Sequence, residues 1–135
     1  MRLKTLTYTS RARLDLTDED LAAIHQTARH FNALDGISGL LLFDGSRFLQ
    51  IVEGSEEAIE NLVERLRMDP RHSAFEVRDE RHVERRSFPD WSMELVRVSA
   101  DCGNASDEVA KALPAGVPAP VRDLVIRMTG QLAKA

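Results

Sequence analysis

Gly39-Leu40-Leu41-Leu42-Phe43-Asp44-Gly45-Ser46-Arg47-Phe48-Leu49-Gln50-Ile51-Val52 holds two apolar runs joined around an Asp-Gly pair. Asp44-Gly45 favours the positive φ angles of a tight turn, so the runs read as the two arms of a β-hairpin. The second arm is apolar at consecutive rather than alternate positions, the pattern of a strand buried on both faces. One residue breaks it. Gln50 carries two donors and two acceptor lone pairs into the middle of the second arm. Burying such an amide unpaired costs roughly 2–7 kcal/mol. Something polar must therefore meet Gln50 inside the fold, either another side chain or a bound ligand.

Upstream of the hairpin, Leu3 to Thr9 reads as a strand with Leu6 and Tyr8 on one face. Thr17-x-x-Asp20 resembles a capping arrangement, with Asp18, Glu19 and Asp20 suited to the positive end of a helix dipole. Leu21, Ile24, Ala28 and Phe31 then build one helical face. Asn32 lies one turn beyond Ala28 on that inward side, and Asp35-Gly36 closes the helix. Downstream, Glu53-Gly54 breaks the second arm and Ser55 caps a helix whose apolar stripe is Ile59, Leu62, Val63 and Leu66. Asp69-Pro70 stops that helix. Phe75 to Glu84 is a charged strand suited to a sheet edge. Trp91, Met93 and Leu95 alternate with Ser92, Glu94 and Val96 as a last strand.

The resulting order, β-α-β-β-α-β-β, predicts an α+β fold: a ferredoxin-like sheet with two helices on one face. Beyond Ser99, Asn104 to Leu113 and Val121 to Leu132 are helical stretches around a Pro114 to Pro120 linker. Two helices do not make a domain, so they are expected as a cap on the open face of the sheet or as a contact to another chain. The expected division is a core over 1–98 and a C-terminal helical cap or output segment over 99–135.

At 135 residues the chain can bury the core of one domain without staples. Its 43% hydrophobic and 30% charged content is that of a soluble globular protein. No apolar run approaches the roughly 20 residues that span a bilayer. The N-terminus shows no secretory pattern, which makes the expected location cytoplasmic and gives the membrane no part. A single cysteine, Cys102, excludes an internal disulfide and a cysteine-rich zinc site. The net charge of −4 argues against nucleic acid as a partner. The basic run Arg81-His82-Val83-Glu84-Arg85-Arg86 reads as a strand edge defended by charge.

The usual catalytic signatures are missing: no Gly-rich phosphate loop, no G-x-S-x-G and no H-E-x-x-H. His25, His30, His72 and His82 fall on separate elements, and their spacing suggests no metal site. An acylphosphatase-like hydrolase on this fold would need an Arg in a phosphate-cradling first loop. Ser10-Arg11-Ala12-Arg13 supplies arginines but lacks the glycines that let backbone amides wrap a phosphate. The stronger constellation is Tyr8, Asn32, Gln50, Trp91 and Met93, a phenol, two amides, an indole and a thioether converging between helices and sheet. Taken singly, each is an ordinary core or capping residue. Together they suit a flat heteroaromatic ligand with hydrogen-bonding edges.

The same text resembles the BLUF domains, blue-light sensors that use flavin. The resemblance lies in Leu6-Thr7-Tyr8-Thr9-Ser10, Ala28-Arg29-His30-Phe31-Asn32, Gly36-Ile37-Ser38-Gly39-Leu40-Leu41-Leu42-Phe43 and Phe48-Leu49-Gln50-Ile51-Val52-Glu53-Gly54. It continues through Arg65, Asp69-Pro70-Arg71-His72 and Arg86-x-Phe88-Pro89-x-Trp91-Ser92-Met93, and runs from about Leu3 to Val98. The C-terminal stretch looks like the helical cap of short, stand-alone members. This implies a photoreceptor that is not an enzyme, binds flavin without a covalent bond and signals in trans to a protein partner, with homo-oligomerisation expected. FAD is the flavin implied first; FMN and riboflavin share its ring.

Residue by residue, the resemblance implies that Tyr8 donates an electron and then a proton to the excited flavin. Gln50 would link Tyr8 to flavin N5 and C4=O and rearrange its amide, and Asn32 would hold the N3–H and C4=O edge. Arg65, Asp69, Arg71 and His72 are the candidates for the C2=O and ribityl side, with Arg29 also counted among the cofactor-binding residues. Ile24 and Leu66 would sandwich the ring, and Trp91 and Met93 would report the new Gln50 hydrogen bonds to the last strand. Ala28 stands where many members carry a serine, and Phe31 where a polar residue is common. The rival expectation is a chromophore-free ferredoxin-like module that senses another ligand or binds a protein, with Gln50 paired internally to Tyr8 or Trp91.

Overall fold

A computed structural model of the chain describes residues 3–43, 46–70, 72–86 and 94–97, together with 113, 117, 119, 122 and 123; for 31–35 and 94–97 the backbone alone is described. The elements follow the expected order: β1 (Leu3–Ala12), α1 (Asp18–Asp35), β2 (Ser38–Phe43), β3 (Arg47–Ser55), α2 (Glu56–Met68), β4 (His72–Val83) and β5 (Glu94–Arg97). They form one sheet in the order β4-β1-β3-β2-β5. The first four strands pair antiparallel and β5 adds to β2 in parallel. This is the ferredoxin-like arrangement with one strand appended.

Local chemistry sets the boundaries. Thr17 and Asp20 cap α1 reciprocally, each backbone N–H donating to the other's side-chain oxygen at 3.0 Å. Ser55 Oγ accepts from the Ala58 N–H at 3.2 Å at the start of α2. Gly36 ends α1 with φ +70°, a left-handed conformation that costs glycine little. Asp44-Gly45 lies outside the described residues; the two arms pair as a hairpin, with Phe43 opposite Phe48.

The two sheet faces are both buried under β2 and β3, as the consecutive apolar residues require. Leu6, Tyr8, Leu41, Phe43, Phe48 and Val52 join Leu21, Ile59 and Leu62 of the helices in one core. The alternate residues Leu40, Leu42, Leu49 and Ile51 are buried on the opposite face. In the C-terminal stretch Leu113 and Val117 are buried, and Ala119, Arg122 and Asp123 are helical. The rest of the anticipated C-terminal helices lies outside the described residues.

β4 is the edge strand foreseen from its charge, but it starts earlier, at His72. The extra length comes from pairing with the end of β1, Ala12 opposite His72 and Arg11 opposite Ser73. Between Thr9 and Arg11 the register shifts, and Ala74 takes φ 52°. A left-handed conformation costs an alanine about 1–2 kcal/mol, so this bulge is held by its surroundings.

Candidate functional site

Register alone brings the amide and the phenol together. Gln50 lies opposite Tyr8 on β1 and opposite Leu41 on β2. Strand alternation turns Tyr8, Gln50 and Leu41 to the face covered by the helices. There the Tyr8 hydroxyl donates a hydrogen bond to Gln50 Oε1, with each residue only 3% exposed. The polar partner demanded by the apolar strand is thus a side chain 42 positions away.

Burial pushes the Tyr8 phenol well above its ordinary pKa, and the charge of Asp69 pushes it further the same way. The folded chain therefore holds this proton more tightly than the unfolded chain does. The stability this contributes is fully present below the ordinary phenol pKa of about 10 and is lost as pH rises beyond it. Asp69→Asn should lower the pH at which Tyr8 ionises. The phenolate absorption of the apoprotein, which has a single tyrosine, reads that shift; an unchanged or higher titration midpoint would contradict it.

A cavity of about 260 Å³ opens above this pair, near the lower end of small-molecule sites, which run from ~300 Å³ upward. Its floor is Tyr8, Leu41, Phe48 and Gln50 from the sheet. One wall is Ile24, Thr27 and Ala28 of α1, one helical face by their spacing, and the other is Leu62, Arg65 and Leu66 of α2. Asp69 and His72 complete the lining. Apolar side chains thus stand on both sides of a slot with a polar floor, and Arg65 supplies a cation. Among the described residues, no group of three or more His, Cys, Asp or Glu is placed to hold a metal ion.

The arrangement gathers six of the expected residues, Tyr8, Ile24, Gln50, Arg65, Leu66 and Asp69, around one cavity, with His72 as a seventh. His72 also braces the site. Its Nδ1 lies 2.8 Å from Ser10 Oγ and its Nε2 lies 2.5 Å from the Leu66 carbonyl. Both ring nitrogens are occupied, so this histidine ties β1 to the end of α2 and presents its ring, rather than a free nitrogen, to the cavity.

Arg29 is exposed and does not line the cavity. Successive helical residues are about 100° apart, so a face that turns Ala28 inward turns Arg29 out. Asn32 lies on α1 one turn beyond Ala28, with its side chain outside the described residues, as are Arg71, Trp91 and Met93.

Several lining residues escaped sequence reasoning. Leu41, Phe48 and Leu62 carry only the signal of core residues, and Thr27 only that of a surface position. Phe75 packs its ring 4.6 Å from that of Tyr8, centroid to centroid. The Arg67 guanidinium sits 4.8 Å over the Phe75 ring, and His72 meets that ring edge-on at 6.2 Å.

The family model for BLUF, sensors of blue-light using FAD, matches residues 3–94. The chain belongs to the BLUF family. Photoactivated adenylate cyclase subunit beta of Euglena gracilis is 33% identical over 133 residues, which is 98% of this chain and 13% of that protein. The blue light- and temperature-regulated antirepressor BluF of Escherichia coli K12 is 36% identical over 70 residues, 52% of this chain and 17% of that protein. The dark-state structure of BlrB, a BLUF protein, has a TM-score of 0.74 at 31% identity and covers 99% of this chain and 98% of its own. The BlrP1 BLUF structure has a TM-score of 0.80 at 30% identity, covering 99% and 91%.

As a BLUF domain the chain is a flavin-binding blue-light sensor, and its cavity fits that ligand. Its lining offers apolar Ile24 and Leu66 together with the Gln50 amide and the Asp69 carboxylate, groups suited to a flat ring with hydrogen-bonding edges. The chain spans only 13% of the length of the cyclase subunit. Among the described residues, no helix is long and apolar enough to cross a membrane.

Proposed function

We propose that this BLUF domain converts blue light into a change of hydrogen-bond partners at Gln50 and passes that change to another protein. The observation that carries the proposal is the buried Tyr8–Gln50 hydrogen bond on the floor of the cavity. Flavin, when bound, supplies the absorption of blue light and an excited state that accepts an electron.

The chain's own residues supply the rest. Tyr8 is a neutral phenol in the dark, because burial and Asp69 both oppose its ionisation. Loss of an electron makes a phenol strongly acidic, and Gln50 Oε1 is the acceptor its proton already meets. Gln50 can answer in two ways, since an amide turned about its last bond exchanges an acceptor for two donors. In one arrangement Tyr8 donates to Gln50; in the other Gln50 Nε2 donates to Tyr8. Two such networks of similar free energy make a switch that leaves no covalent product behind.

Gln50 shares its row of the sheet with Leu41, and Leu41 lies opposite Leu95 of β5. This row is the route we assign from the amide to the last strand. Asn32, Arg65 and Asp69 address the polar edges of the ring, Ile24 and Leu66 its faces, and Trp91 and Met93 the β5 end. The segment 99–135 is assigned the output, in trans to a protein partner and within a homo-oligomer. The chain itself is a sensor rather than a catalyst.

One measurement tests the reading. The purified protein should be yellow, and its flavin bands should move reversibly to the red under blue light. A chain that carries flavin whose spectrum never changes on illumination would end the switch proposal.

A further inference from the structure

Phe75 reads in the sequence as one apolar residue on a charged edge strand, yet the fold sets its ring against Tyr8. A bulge in β4 lies directly beside it. Ser73 pairs with Arg11 and Glu76 with Thr9, so Ala74 and Phe75 together stand opposite Ser10 alone. Phe75 keeps the face of Val77, which pairs with Tyr8, and the extra residue lets His72, opposite Ala12, reach that face as well. Ala74 absorbs the extra residue by entering the left-handed region at φ 52°. Non-glycine residues persist there only where the surroundings over-determine them, and such sites cluster where function needs a fixed geometry.

We propose that Phe75 is a positioning residue for Tyr8: its ring fixes the plane of the phenol so that the hydroxyl meets Gln50 in one orientation. The inference rests on the photosensor reading above. Three contacts hold Phe75 itself. Tyr8 lies 4.6 Å away in a tilted stack, Arg67 covers the ring at 4.8 Å, and the His72 ring meets it edge-on. His72 is in turn tethered at both nitrogens, to Ser10 and Leu66. Phe75 thus links the phenol to β4 and to the end of α2.

Tyr8 is the only tyrosine in the chain, so the NMR spectrum of ring-labelled tyrosine reports it alone. Phe75→Leu keeps an apolar side chain but removes the flat face. The flavin-loaded variant should retain its flavin, flip the Tyr8 ring faster in the dark and lower the yield of the light-induced shift by roughly tenfold. A displacement of about 1 Å in a reacting geometry can cost up to ~10²-fold. Ala74→Val should reproduce both changes, because a β-branched residue resists positive φ. Ala74→Gly, which keeps the bulge, should behave like the wild type in both. Wild-type ring flipping and yield in Phe75→Leu or in Ala74→Val would overturn the proposal. If the wild type itself shows no shift in light, the photosensor reading falls, and the ring-flip comparison alone then decides whether Phe75 positions Tyr8.

Discussion

Tyr8→Phe should abolish the light-induced red shift while leaving flavin bound. The substitution removes one hydroxyl and keeps the ring, so the stack on Phe75 and the floor of the cavity persist. What disappears is the donor to Gln50 Oε1 and, with it, a side chain that can lose both an electron and a proton. The amide then has no reason to exchange partners. A buried acceptor deprived of its donor costs about 1–3 kcal/mol, so a denaturant titration should show a modest loss of stability beside the complete loss of the shift. Absorption spectra in the dark and after blue light read the main effect. A red shift of ordinary size in the variant would mean that the switch does not run through this phenol.

Gly39→Ala should cost about 3 kcal/mol or more and leave little folded protein, since overpacking against fixed backbone lies at the severe end of single substitutions. A Cβ on Gly39 would sit 2.0 Å from the Ile51 carbonyl oxygen and 3.0 Å from its carbon. Those atoms are backbone in the central strand and cannot swing aside. Relief requires β2 and β3 to part where Gly39 faces Val52, next to the pairing of Leu41 with Gln50. Gly54→Ala is the milder comparison, because its new Cβ meets the Ile37 side chain at 3.1 Å, which can yield. Urea midpoints for the two variants test the ranking. A Gly39→Ala protein as stable as the wild type would show that the β2–β3 contact is far looser than its geometry implies.

Much of the architecture was legible because its causes are local. Apolar runs around Asp44-Gly45 specify a buried hairpin, Thr17 and Ser55 mark helix starts through their own hydroxyls, and charge on residues 76–85 marks an edge. Other features rest on contacts that no local pattern carries. Arg29 is adjacent to Ala28 in the chain but turns outward by the pitch of α1. His72 is spoken for by Ser10 and the Leu66 carbonyl, partners that no spacing rule connects to it. Phe75 meets Tyr8 only through the pairing of β4 with β1, which no local pattern reveals.

By itself the sequence determined the element order, the two-faced burial of the second hairpin arm and the presence of one amide that needed a polar partner. Those follow from backbone preferences and from the cost of burying an unpaired amide, which act within a few residues. Only the tertiary structure decided that the partner is Tyr8 and that Phe75 backs it. Strand register settles those contacts, and it depends on how segments tens of residues apart pair across the sheet.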